Sequence, residues 1–463
     1  MTTEVDVLVV GAGVGGVTSA VAAAREGAKV LLVEKSEAIG GTGVHAYPGL
    51  ITRHWADDGA YINDGLHRRF FPEAYEPGVE AVLKLWGAET DPGKRRCLNE
   101  LTPMLTYESE ALAARYEAAL REFPNLELRL NTAVGAVEMR DGRIVAVKLA
   151  GGDGGTETVH PRILIDGTFN ANVAAMAGAE CAIGAKGDPD ELQPATLIFT
   201  LDDVDFSQFD LGGWPLLSAK VFMKIMRQLG PIYQELKAAG GTRNPRENVL
   251  LFVRRDMRSA LMNQTRVFGV HPDDAEGIAR ARAEAEAQVH EFVEGMRGRH
   301  PAFANAKLGR MATQMGLRDG RRVIGDHVLT GDECVAGARF PDMVGACANF
   351  IDIHSTRANR KDVARGIANN GYFHIPYRCL TPRGIDNLLI ASRAISCDFE
   401  AHGATRVMAP ICAYSEAAGI AAALACESGD TRKVDIAALQ RRLRKQGQFV
   451  DGIGLSLHPA SAG

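Results

Sequence analysis

The chain has 463 residues, of which 46% are apolar and 24% charged, and its formal net charge is −5. That length exceeds one simple core and predicts two domains, while the mild acidity excludes a basic stripe built for nucleic acid. Eight cysteines, at 97, 181, 334, 347, 379, 397, 412 and 426, form no CxxC or CxxxxC pair. This argues against zinc, iron–sulfur and dithiol chemistry, and for thiols in a reducing cytoplasm.

The first residues, MTTEVD, lack a basic n-region, so no signal peptide is expected. An apolar strand at 6–10, a small-residue helix at 14–26 and a second strand at 29–33 predict a βαβ unit, with Gly27 stopping the helix. The turn between them reads VGAGVGG and places Gly11, Gly13, Gly15 and Gly16 where the strand gives way to the helix. Glycines at that spacing permit a tight turn and close approach of a pyrophosphate to the helix N-terminus, where free N–H groups favour an anion. Glu34 ends the second strand. A carboxylate there accepts from both ribose hydroxyls and repels a 2′-phosphate, which excludes NADP and leaves FAD or NAD.

Residues 45–105 are irregular and rich in Gly, Pro and aromatics, with one helix expected near 78–86. A helix at 107–123 and a strand at 126–130 follow. Alternating runs at 134–139 and 144–149 flank Asp141-Gly142 and predict a hairpin with a type I′ turn. After the Gly-rich loop 151–155, Pro161 opens a buried strand at 163–165 that ends in Asp166-Gly167-Thr168. Beyond about residue 185 the character changes. Strands are expected at 196–202 and 248–254, and helices at 215–238 and 272–297, the latter with Pro272 in its first turn. Residues 385–391 read as a buried strand and 410–426 as an apolar helix. Its most apolar stretch, 411–425, is interrupted by Ser415 and Glu416 and is expected to be too short to span a bilayer. The tail from Asp435 reads as one more helix and a frayed end.

Three features favour FAD over NAD. Gly40-Gly41-Thr42-Gly43 supplies a second glycine loop for a longer cofactor. The strand ending at Asp166 and the late return of 385–427 suit a cofactor whose far end lies well away from the first turn.

These residues, together with GLRDGRRVIGDHVLT at 316–330, IPYRCLTPRGIDNLLIASRAIS at 375–396 and EAHGATRVMAP at 400–410, resemble the bacterial FAD-dependent oxidoreductases. That family has a glutathione-reductase-type FAD-binding fold and is distantly related to fumarate reductase and the tRNA-uridine-modifying flavoproteins. The resemblance covers about 4–50, 125–185 and 375–427. It implies that Gly11, Gly13, Gly16 and Glu34 hold the ADP half, with Lys35 beside the adenosine and the backbone at Val134 on adenine. It also implies Gly41 and Thr42 by the ribityl chain and the N-terminus of the Pro410 helix at the flavin pyrimidine, where a positive helix end suits developing negative charge. Arg393 is expected at the FAD pyrophosphate. Family members commonly carry Asp-Ala-Thr-Gly-Asp-Gly where this chain has Asp166-Gly167-Thr168-Phe169-Asn170-Ala171.

The expected fold is therefore α/β: a Rossmann-like three-layer FAD-binding domain, discontinuous in sequence, with an inserted α+β substrate domain. Residues 1–185 form its first part, including the irregular cap 45–105. Residues 186–377 form the substrate domain, and 378–463 return to the FAD domain and tail. The expected function is hydride transfer between flavin and a small organic substrate, with an anionic one suggested by the basic residues. His402 is expected to move a proton, with Glu400 orienting it. Arg318, Arg321, Arg322, Arg378, Arg406 and His354 are candidates to clamp a carboxylate or phosphate. His45 and Tyr377 are further pocket candidates, beside His374 and Tyr372. No metal, nucleic acid or membrane partner is expected, and self-association is left open. The competing readings are an FAD-binding subunit for RNA modification or electron transfer, and a redox-neutral isomerase or lyase that retains flavin.

Overall fold

The computed structural model describes residues 2–51, 53–91, 93–94, 100–152, 154–357 and 361–450. Cys97 and the end of the tail lie outside these residues.

A seven-stranded sheet organises the first core. Its path is β3 (Leu126–Arg129), β2 (Val30–Val33), β1 (Thr2–Val10), β6 (Thr156–Asp166), β5 (Arg143–Gly151) and β4 (Thr132–Arg140). β1 pairs in parallel with β2 and β6, and β2 with β3, so the strands that follow helical connections run alike. The hairpin β4–β5 is antiparallel, and Asp141 and Gly142 both have positive φ, 47° and 74°, as a type I′ turn requires. The eleven-residue β6 serves two partners along one edge. Its first half pairs with β5, and its last residues pair in parallel with the strand Leu388–Ile390. Strands from opposite ends of the sequence thus share one Rossmann-like sheet, as expected.

β6 begins five residues before Pro161, which the sequence reading had placed at its start. The ladder with β1 tolerates this proline by breaking beside it: Val5 aligns with Pro161 and Val7 with Ile163, while Asp6 and Arg162 drop out of the ladder and meet through their side chains at 3.5 Å. The long helix likewise starts later than expected, at Ala275 rather than at Pro272. Asp274 is its N-cap and accepts from the Gly277 N–H.

Helix α1 (Val14–Arg25) lies against the helix Met408–Ala425 with almost no side chain between them. A Cβ on Gly419 would sit 2.2 Å from the Ser19 carbonyl oxygen and 2.8 Å from the Ala22 Cβ. Met408–Ala425 is the one described helix long and apolar enough to cross a membrane, and 83% of it is buried inside the protein. It also carries Glu416, a fully buried carboxyl that accepts from the Leu66 N–H at 3.0 Å and Gln448 Nε2 at 3.2 Å.

A second core gathers around a four-stranded antiparallel sheet ordered Lys307–Met311, Phe199–Asp202, Ala260–Met262, Leu251–Val253. The helices Ala219–Ala238 and Ala275–Arg297 contribute Tyr233 and Phe292, whose rings meet at 5.9 Å. This core draws on residues 195–315 plus Tyr47 from the cap. From Val323 onward, the expected substrate domain instead contributes Val344, Ile351, Phe373 and Tyr377 to the first core.

Two expectations follow. Gly419→Ala should cost about 1–3 kcal/mol in denaturant unfolding, because neither backbone can yield. Burial raises the Glu416 carboxyl from 4.5 to about 7. The folded state therefore binds its proton more tightly than the unfolded state. Its contribution to stability is complete below about pH 4.5 and fades as pH rises through 7. Glu416→Gln should flatten that decline in a pH series of chemical denaturations.

Candidate active site

The candidate site lies where the carboxyl ends of β1, β6 and the strand Leu388–Ile390 meet. Gly11 turns the chain with φ 94°, and its N–H donates to the Val33 carbonyl at 2.7 Å. Gly15 and Gly16 are packing positions: a Cβ on either would lie 1.7 Å from a backbone oxygen, of Ala391 and Gly11 respectively. Gly13 differs. A Cβ there would have only the Gly41 Cα within 4 Å, at 3.9 Å, so the protein itself has room for a methyl group. Gly13 also caps α1 without any side-chain acceptor for its first N–H groups. A glycine unneeded by packing, over an uncapped helix N-terminus, fits a closely approaching phosphate.

Glu34 is held at the end of β2 by the Ala12 N–H at 2.8 Å and by the Ser36 N–H and hydroxyl at 3.0 and 2.9 Å. Its carbonyl accepts from the Thr132 N–H at 2.8 Å, which brings β4, and with it Val134, beside the carboxylate. Lys35 points outward and is exposed. The GGTG segment is a helical turn, Gly41–His45, not the open loop expected. The Gly40 N–H donates to the Ala12 carbonyl, and a Cβ on Gly43 would touch Met408 Sδ at 3.5 Å. A second uncapped helix N-terminus, that of Met408–Ala425 with Pro410 in its first turn, therefore faces the same glycine segment. Glu34, Gly13, Gly41-Thr42 and this helix end are the groups that could cradle an FAD.

Asp166 closes β6 beneath this cradle. It is buried, accepts from Thr168 and the Ala174 N–H, and burial raises its carboxyl. Gly167 lies against Gly11, 3.0 Å from its notional Cβ. The departure from the family pattern at 169–170 has a use here: Phe169 lies under the Arg393 guanidinium at 3.5 Å, and Asn170 Oδ1 accepts the Arg321 N–H at 2.7 Å.

Arg393 is buried at the centre of a basic wall. It donates to the carbonyls of Phe169, Arg318 and Asp319 at 3.2, 2.6 and 2.6 Å, and to His402 Nε2 at 3.4 Å. An arginine can only donate, so His402 carries its proton on Nδ1. Burial first, then the neighbouring arginines, push its pKa well below 6.5. His402 is fully buried, with its Nδ1 3.9 Å from Asp319 and its Nε2 accepting from Arg393, so within the protein it helps to hold Arg393. Glu400 does not orient it, because its side chain pairs with Arg365 instead. Arg322 is likewise occupied, by Asp319 at 3.2 Å and the Gly184 carbonyl at 2.9 Å. Arg321 pairs with Asp273 and Arg378 with Asp342. Tyr377 donates to the Thr431 carbonyl in the first core, away from the cradle. His45 binds the Ile39 carbonyl at 3.0 Å, beside Thr313.

The remaining cationic candidates converge at the seam between the two cores. Arg406 donates only to the carbonyls of Arg318 and Asp352, at 3.3 and 2.9 Å. Arg318 reaches the Pro194 carbonyl at 2.7 Å and Asn263 Oδ1 at 3.2 Å. His354 Nδ1 sits between Arg266 at 3.2 Å and Asp362 at 3.1 Å, and burial lowers its pKa to about 4. Sequence reasoning missed Arg246. It lies in a charged, proline-flanked stretch, TRNPREN, that carries no motif, yet it is only 6% exposed. Burial and then Arg266 lower its pKa to about 10. A buried guanidinium without a close carboxylate costs several kcal/mol, and Arg246 is such a group.

The class this geometry defines is a flavoprotein built on a dinucleotide cradle with a basic, largely buried wall. The profile of the FAD dependent oxidoreductase family matches residues 6–443, and the chain belongs to that family of flavin-dependent enzymes. Among solved structures it is similar to a geranylgeranyl bacteriochlorophyll reductase-like protein from Thermoplasma acidophilum, at 13% identity over 96% of this chain and 84% of that one, TM-score 0.45. It is also similar to L-proline dehydrogenase from P. horikoshii, at 14% identity over 97% and 100%, TM-score 0.41. A third is a quinol-fumarate reductase, at 11% identity over 97% and 75%, TM-score 0.40. No curated protein sequence matches the chain significantly.

Gly13→Ala separates cofactor binding from folding. It should leave the stability of the FAD-free protein within about 1 kcal/mol, since only the cap residue changes. FAD affinity, measured by fluorescence quenching on reconstitution, should fall at least about tenfold through loss of close approach.

Proposed function

We propose that the bound FAD exchanges a hydride with a small organic substrate held at the seam of the two cores. The observation that carries this reading is the meeting of the second uncapped helix end, at Met408, with the half-buried Arg406 and Arg318 and the buried Arg393, joined through the Arg318 carbonyl. The residues here bind and orient. The Met408 helix end offers N–H groups and a positive dipole to the pyrimidine edge. Arg393, fixed by His402, Phe169 and two carbonyls of the 318–319 segment, makes the wall rigid and positive. Arg318 and Arg406 extend that potential toward the second core, and burial on both sides excludes water, which strengthens each polar contact.

Arg246, Arg322 and Arg393 are buried and Arg318 and Arg406 half-buried, a set that forms no exposed stripe, which favours a small molecule over RNA. Anaerobic titration of the holoprotein with a panel of small alcohols, amines, hydroxy acids and unsaturated acids tests the reaction class. At least one should bleach the flavin band near ~450 nm within mixing and equilibration times. Product formation with the band unchanged would refute redox chemistry and favour an isomerase or lyase.

A further inference from the structure

Arg246 is a buried charge without a close counter-ion. Among the described residues no carboxylate lies within 4 Å of its guanidinium, and no side-chain hydrogen bond is made by it, although the residue is 94% buried by its 6% exposure. Its Nε is fully enclosed and has no partner. The loop that carries it is nonetheless rigid. The Arg246 N–H donates to Asn244 Oδ1 at 3.0 Å, and Asn244 Nδ2 donates to the Gln264 carbonyl at 2.7 Å. The adjacent residue Asn263 holds Arg318. Arg318 in turn feels repulsion from Arg406 and Arg246, and only main-chain or amide oxygens satisfy it and Arg406. Three fixed guanidinium groups from two cores are thus aimed into one seam. Two carboxylates lie nearby for this cluster of arginines: Asp362 is taken up by Arg266, His354 and the Ser355 N–H, while Asp352, 3.5 Å from His354, attracts Arg246, Arg318 and Arg406 together.

We infer that Arg246, Arg318 and Arg406 form a binding site for a small oxyanion, the carboxylate or phosphate group of the substrate. This deepens the reading above, on which the identity of the oxyanion as part of the substrate rests. Guanidinium forks match the two oxygens of such a group. Arg246 comes from the second core and the other two from segments joined to the first, so one bound group would join both. An anion supplies the missing charge and the missing acceptors together.

The test measures thermal unfolding of the holoprotein with sodium acetate, succinate or inorganic phosphate, each against sodium chloride at equal ionic strength. One of the three should raise the melting temperature saturably, and the stronger class identifies the group. Arg246→Met should weaken that binding at least about tenfold. The same substitution should leave the ligand-free melting temperature equal to or above that of the unsubstituted protein, because it removes an uncompensated charge. A structural arginine would give the opposite sign. Should Arg246→Met not fold, Arg246→Lys, with its charge kept and its fork lost, should fold with full FAD content and still bind more weakly. Arg255→Met, at an exposed position, should change nothing. The site is overturned when none of the anions gives saturable stabilisation, or when the Arg246 variants bind as tightly as the unsubstituted protein. Anion stabilisation that persists while no substrate reduces the flavin would overturn hydride transfer alone and leave the site standing.

Discussion

Backbone meets backbone at Gly15 and Ala391 with no room for a methyl group, and the rest of the molecule depends on that contact. It presses the first helix onto the turn that follows the last strand of the sheet. A second contact of the same kind, Gly419 against Ser19, seats the helix Met408–Ala425 on α1. Once both are made, the N-terminal ends of two helices open on the same side of the sheet. The segment 391–406 then has nowhere to go except over the carboxyl ends of the strands. Small residues at these positions set the geometry by permitting close approach, and dispersion between closely packed main chains does the rest.

Charge distributes unevenly over this frame. At the end of β2 the chain satisfies itself: Glu34 accepts three hydrogen bonds from its own neighbourhood. On the far side Arg393 is fixed by carbonyls, an aromatic face and a neutral histidine, none of which neutralises it. Carbonyl dipoles orient a guanidinium without cancelling its field, so a positive potential survives burial. That arrangement suits a site in which negative charge arrives with a ligand or develops during reaction.

The cradle was legible because glycine spacing, a strand-ending Glu34 and the βαβ alternation are local signals, and local geometry sets what they do. The hairpin at Asp141-Gly142 was legible for the same reason. The basic wall was legible only in part. Arg318 and Arg406 were singled out by density of charge, and the sequence could not separate them from Arg321, Arg322 and Arg378, which find carboxylates in space. Arg246 left no trace, since burial of a loop arginine is decided by tertiary packing. The full burial of His402 against Arg393 could not be read, because a sequence carries no information on solvent access. The start of the long helix was misread because Asp274, not Pro272, provides the acceptor that begins it.

The division between the core drawn from 195–315 and the larger core around the seven-stranded sheet bears on how such a chain diversifies. Substitutions within the smaller core leave the glycine contacts beneath the cofactor cradle untouched. Descendants can therefore retune what is recognised at the seam while inheriting the redox machinery whole. Arg246 sits on the side of that division that is free to change, so the recognised group is the property expected to drift first.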